Sequence, residues 1–198
     1  QTPPGFEFAV KASRYLTHVR RLRDPAQPVD RLMSRASALG SKLGPVLIQL
    51  PADLPADPPA LAATIESFPV GTRVAFEPRH ESWWSGEIRE LLTDRGAAFV
   101  WSDRAGTPFG PLWRTARWGY VRMHYGDAQV PPNYHRHTLA TWAARIAASY
   151  GDDDDVFVFF NNDGRCAAVD NAVTFAEEVR GTGRTATRTP AIRPDSWS

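Results

Sequence analysis

The sequence predicts an α/β domain built on parallel strands. Three observations point there: short apolar runs, helical patterns in the gaps between them, and polar groups gathered at one end of the runs. Runs rich in Val, Phe and Ile occur at Phe6–Lys11, Val46–Leu50, Arg73–Glu77, Ala98–Ser102, Gly119–His124 and Val156–Phe160. Several are apolar almost throughout instead of alternating, which a strand buried on both faces requires and a half-solvated strand does not. Each gap leaves room for a crossover helix, the connection that parallel neighbours need, and helical patterns appear in most of them.

Taken in order, Pro28 to Leu39 places Val29, Leu32, Met33, Ala36 and Leu39 on one helical face and stops at Gly40. Pro59 to Phe68 repeats the pattern with Leu61, Ile65 and Phe68. Ser85 is placed to cap a helix running to Arg95, with Glu87 and Glu90 early and Arg95 late, as the helix dipole favours. Thr138 to Tyr150 and Val169 to Val179 supply two more. Between Ser102 and Gly119 the chain is rich in turn residues (Gly106, Pro108, Gly110, Pro111), so an irregular loop is expected. The acidic run Asp152–Asp155 lacks the spaced ligands of a calcium loop and reads as a solvated turn.

At 198 residues and 22.0 kDa, the chain is sized for one domain, expected over residues 1–180, with 181–198 as a mobile tail of little apolar periodicity. No apolar stretch approaches the roughly 20 residues of a membrane helix. The single cysteine, Cys166, excludes an internal disulfide and a Cys-based metal cluster, and a cytoplasmic setting follows as the expectation. A net charge of +1 gives no overall field toward nucleic acid. Arginine far outnumbers lysine, which occurs only at Lys11 and Lys42. The start at Gln1, without Met and already in a Pro-Pro-Gly turn, reads as a cut.

The polar groups fall where α/β sheets bind ligands, beyond the carboxyl ends of the strands. The runs lead into Lys11, then Gln49, Glu77, Asp103, Arg122 with His124, and finally Asn161, Asn162 and Asp163. The segment Glu77-Pro-Arg-His-Glu-Ser-Trp-Trp is densest in chemistry: Arg79 can grip an anionic oxygen pair, and Glu77 can orient His80 as acid or base. Equally, Glu77 and Arg79 can simply neutralise each other. Trp83 or Trp84 serves either as a lid over the core or as a stacking platform. Tyr120, Arg122 and His124 alternate onto one strand face, and a buried Arg122 needs a carboxylate (Glu77 or Asp103) or an anionic ligand. Asn161 and Asn162 read as turn residues or as site groups. Lys11 can neutralise an anion or act as an amine nucleophile, with Thr17 and His18 in the loop that follows.

Glu77, His80, Asp103, His124 and Asp163 are acceptable ligands for a divalent ion, but no pair has a diagnostic spacing, so the cofactor is unknown. There is no phosphate loop, no Gly-x-Gly-x-x-Gly and no Gly-x-Ser-x-Gly, which argues against the common nucleotide-dependent enzymes and serine hydrolases.

The stretches FEFAVKASRYLTH, LGSKLGPVLIQLP, VAFEPRHESW, YVRMHYG and VFVFFNNDGRCAAVDNA, in this order and spacing, resemble the YecE-like family, domain of unknown function seventy-two. That resemblance implies a TIM-barrel-like (β/α)8 fold of which this chain carries about six units. It also implies that Lys11, Thr17, His18, Gln49, Glu77, Arg79, His80, Trp83, Arg122, His124, Asn161, Asn162 and Asp163 line one mouth. The family's two N-terminal strands are missing from the sequence, so the domain is expected to be incomplete at that end. No reaction is implied.

Three functions compete. The first is binding or turnover of a small anionic, phosphorylated or carboxylated ligand: Lys11, Arg79 and Arg122 hold the charge, His80 or His124 is acid or base with Glu77, and Trp83 covers the ligand. An enzyme of this kind would be a hydrolase, lyase or isomerase. The second is a metal-dependent phosphodiesterase or endonuclease on nucleic acid, which the near-neutral charge disfavours. The third is a non-catalytic scaffold. No membrane partner is expected.

Overall fold

A computed structural model describes residues 2–130 and 132–189. The strands are β1 (Phe8–Lys11), β2 (Leu43–Gln49), β3 (Val74–Glu77), β4 (Ala98–Phe99), β5 (Trp101–Arg104), β6 (Thr107–Phe109), β7 (Gly119–Met123) and β8 (Val156–Phe160). The α-helices are α1 (Ala26–Ala36), α2 (Pro58–Glu66), α3 (Gly86–Asp94), α4 (Arg136–Ser149) and α5 (Ala167–Gly181). The expected alternation is therefore present. A closed barrel is not: among the described residues the strands form two four-stranded sheets, ordered β1-β2-β3-β4 and β6-β5-β7-β8. The chain likewise divides into two compact units.

The first unit comprises the chain up to Val100 together with Gly110–Ala116. Its strands are all parallel, with Val46 to Gln49 registered against Val74 to Glu77. β2 is buried along nearly its whole length, so both of its faces are apolar and the sequence shows a continuous run where alternation is absent. Val29 of α1, Leu61 of α2, and Ile88 and Leu92 of α3 are completely covered. Asp57 caps α2 by accepting from the Ala60 amide at 3.0 Å, and Ser85 caps α3 through the Ile88 amide. Lys42 Nζ is held by Thr2, donating to Oγ1 at 2.7 Å and to the carbonyl at 2.9 Å.

The second unit comprises Trp101–Phe109 and the described residues from Arg117 onward. β5, β7 and β8 are parallel, while β6 runs antiparallel to β5. Here two expectations are corrected. The run Ala98–Ser102 is two strands, since β4 pairs with β3 and β5 with β7; Val100 between them donates to Phe76 O at 2.9 Å. The expected loop after Ser102 contains β6, reached by a tight turn in which Ala105 and Gly106 both have positive φ (52° and 83°). That geometry matches the twist of a hairpin. Trp101, Met123, Leu139 and Trp142 form the core with Phe175 of α5. Asp127 fixes the start of α4: its carboxylate accepts from the His135 amide at 2.9 Å and from the Thr138 hydroxyl. After α5, Arg184 donates to Ala147 O at 2.9 Å and pairs with Asp152. Residues 190–198 of the expected tail lie outside the described residues.

Candidate functional site

In the first unit, parallel strands deliver three polar side chains to their shared carboxyl edge. Lys11 ends β1, Gln49 ends β2 and Glu77 ends β3. Lys11 Nζ donates to Gln49 Oε1 at 2.7 Å, and Gln49 Nε2 donates to Glu77 Oε2 at 2.9 Å. An ammonium only donates and a carboxylate only accepts, so the two neighbours fix which way the Gln49 amide points. Glu77 is 2% exposed, and a carboxylate so deeply placed requires compensating charge. Arg79 supplies some of it across 3.7 Å, near enough to attract but longer than a hydrogen bond. Its own side chain is 42% exposed, and Lys11 is exposed as well.

Around this row the two histidines of the unit differ. His18 is half-buried in a single π-helical turn, Tyr15–Val19, just after β1. Burial, then the positive charges of Arg14 and Lys11, hold its imidazole below the ordinary value; Asp53 opposes them and Arg79 adds to them. Thr17 is buried and donates to Ser13 O at 3.2 Å. His80, by contrast, caps the short helical turn Glu81–Trp83, its Nδ1 accepting from the Ser82 amide at 3.2 Å. Trp83 is wholly buried, edge-on to Phe76 at 5.1 Å, with its indole N–H donated to Leu54 O at 2.8 Å. No face of Trp83 is open to a ligand, so the expectation that it covers one is corrected: its surface is spent on the core. Arg14 was not singled out by sequence; only its place beside His18 distinguishes it from the many other arginines.

The second unit carries the remaining candidates on two opposite sheet faces. Residues in register on parallel neighbours share a face, so Ser102, Arg122 and Phe159 lie on one side and Asp103, Met123 and Phe160 on the other. Asp103 therefore does not meet Arg122, contrary to one expected pairing. Arg122 Nε donates instead to Asn161 Oδ1 at 3.0 Å, while Tyr120 stacks on Phe159 at 4.8 Å. His124 follows β7 half-buried, and Asp163 is exposed, its carbonyl accepting from the Cys166 amide at 3.2 Å. Asn162 is buried and structural in its contacts: Nδ2 donates to Pro132 O at 2.9 Å and to Asn171 Oδ1 at 2.7 Å, and Asn171 also accepts from the Tyr134 amide.

Asp103 accepts from the Tyr134 hydroxyl and from the Gly106 amide, tying the β5–β6 hairpin to the approach to α4. Burial raises its pKa despite these bonds, and burial with the Asp103 contact raises that of Tyr134. A carboxyl group whose folded pKa is raised contributes most to stability at low pH, and that contribution is lost as pH climbs through the folded value. The stability of Asp103→Asn relative to wild type is therefore expected to rise between pH 4 and pH 7, read from urea midpoints. A difference that falls over this range contradicts the assignment.

Among the described residues no three His, Cys, Asp or Glu side chains gather as a metal site, and no helix is long and apolar enough to cross a membrane. A family model described as "Protein of unknown function DUF72" matches residues 1–194. The chain belongs to the DUF72 family. None of the curated proteins matches it. This DUF72 chain is similar to a crystal structure of a DUF72 family protein from Thermotoga maritima MSB8, with 26% identity and a TM-score of 0.76, covering 90% of this chain and 75% of that one. It is also similar in fold to a DUF72 family protein from Enterococcus faecalis V583, at 15% identity and a TM-score of 0.71, covering 98% and 80% of the two chains. Family membership thus agrees with the resemblance carried by the strand-end motifs, and those are the stretches in which Lys11, Gln49, Glu77 and Arg79 stand.

Proposed function

We propose that this protein binds a small anionic ligand, phosphorylated or carboxylated, at the carboxyl edge of β1, β2 and β3, with Lys11 and Arg79 holding the charge. One observation carries the reading: two exposed cations flank a single buried carboxylate, linked through Gln49 in a continuous row. Glu77 is already engaged below the rim, so the row as a whole is cationic toward solvent. Gln49 bonds to both charged neighbours at once, which keeps them in place. The finer fold assignment, a TIM-barrel-like (β/α)8 domain, belongs to the same proposal; its support is the parallel pairing of β1 to β4 and of β5, β7 and β8, together with the family resemblance. The single cysteine supports a reducing, cytoplasmic setting.

Charge-assisted hydrogen bonds of this type contribute about 1.5–3 kcal/mol, or roughly ten- to a hundredfold in affinity. Arg79→Ala is accordingly expected to remove most of the rise in Tm that millimolar inorganic phosphate or acetate gives the wild type. Equal shifts in variant and wild type would overturn the reading.

A further inference from the structure

The Thr17 hydroxyl has one proton and two polar neighbours. It lies 3.2 Å from Ser13 O, which can only accept, and 2.8 Å from His18 Nδ1. Both contacts are satisfied together only if the hydroxyl donates to Ser13 O and accepts from an Nδ1–H. Neutral His18 then carries its proton on Nδ1, and Nε2 keeps a lone pair. His80 is the reverse case: the Ser82 amide donates to its Nδ1, so its lone pair is spent and its proton sits on Nε2. Of the two histidines in this unit, His18 is the one with an acceptor to offer.

The groups whose charges reach the His18 ring come from four places in the chain: Lys11 at the end of β1, Arg14 just before the π-helical turn, Asp53 in the loop after β2, and Arg79 in the loop after β3. Three are cationic, and Asp53 is paired with Arg21 at 2.9 Å. This surrounding disfavours an imidazolium and favours a neutral ring. It places a hydrogen-bond acceptor among cations, a combination that a bare phosphate or carboxylate does not need.

We propose that His18 accepts, on Nε2, a hydrogen bond from a hydroxyl group carried by the bound anion, so that the ligand is a hydroxylated anion such as an α-hydroxy acid or a sugar phosphate, with Arg14 joining Lys11 and Arg79 around its charge. This rests on the anion reading of the same rim. Acetate and glycolate differ by one hydroxyl and serve as probes, with affinities measured by NMR titration of the whole chain.

Wild type is expected to bind glycolate at least fivefold more tightly than acetate. His18→Phe should bring that ratio to one, and His18→Gln, which retains an acceptor, should restore part of it. In the wild type itself, the ratio should shrink as pH falls and the His18 ring proton signal titrates, because a protonated ring has no acceptor; this arm holds even if the variants fail to fold. Equal affinities for the two probes, with Arg79→Ala weakening both, would overturn the hydroxyl inference and leave the anion site standing. Failure of both probes to bind the wild type would overturn the two together.

Discussion

Gly126→Ala is expected to disrupt the fold of the second unit. A β-carbon at position 126 would lie 1.6 Å from the carbonyl oxygen of Asn133 and 2.2 Å from that of Pro132. Both are main-chain atoms, so no rotamer change relieves the clash; two backbone segments must separate. That crossing also holds the Ala128 amide on Asn133 O at 3.0 Å, and Pro132 O is the acceptor for Asn162. Overpacking alone costs about 1–3 kcal/mol, and each lost internal hydrogen bond about 1 kcal/mol more. The sum is on the order of 4 kcal/mol, a large part of the stability of an ordinary domain. Urea unfolding followed by Trp fluorescence should show a much lower midpoint or a separate early transition. An unchanged midpoint would mean that residues 126 and 133 do not approach as described.

Trp83→Ala should have an effect of similar size in the first unit. The side chain is fully buried, and removing a buried indole costs about 3–5 kcal/mol through lost transfer energy and the cavity left behind. Trp83→Phe should be milder, keeping an aromatic ring against Phe76 but abandoning the bond to Leu54 O. The pair of variants separates a core role from a ligand-covering one. A core tryptophan moves the unfolding midpoint in proportion to the volume removed, whereas a covering one would leave the midpoint alone and weaken acetate or phosphate binding.

Much of this was legible in the residues themselves. Continuous apolar runs announced parallel strands because burial on both faces removes the need for alternation, and the cap at Ser85 acts within three residues of the helix it starts. The gathering of Lys11, Gln49 and Glu77 followed from each ending a strand. What escaped depended on partners distant in sequence. The β5–β6 hairpin turns on Ala105 and Gly106 without the Asn-Gly or Asp-Gly pair that usually marks such a turn, and Pro108 within β6 disguises it further. Which of Trp83 and Trp84 would be interior depended on Phe76 and on the carbonyl of Leu54, many residues upstream. Asp103 and Arg122 looked like partners by charge, yet the register of β5 against β7 puts them on opposite faces. The difference between His18 and His80 rests on single hydrogen bonds, which no spacing rule encodes.

The scarcity of lysine gives the Lys11–Gln49 contact a practical consequence. Side-chain amines occur only at positions 11 and 42, and Lys42 Nζ is engaged by Thr2. A mild acylating reagent therefore has two side-chain targets, one of which stands in the row leading to Glu77. Acylation there would turn a cation into a neutral amide and leave Gln49 Oε1 facing a weaker donor. The extent of labelling at Lys11, with Lys42 as the internal reference, becomes a footprint by which compounds of any structure can be screened for occupancy of the rim.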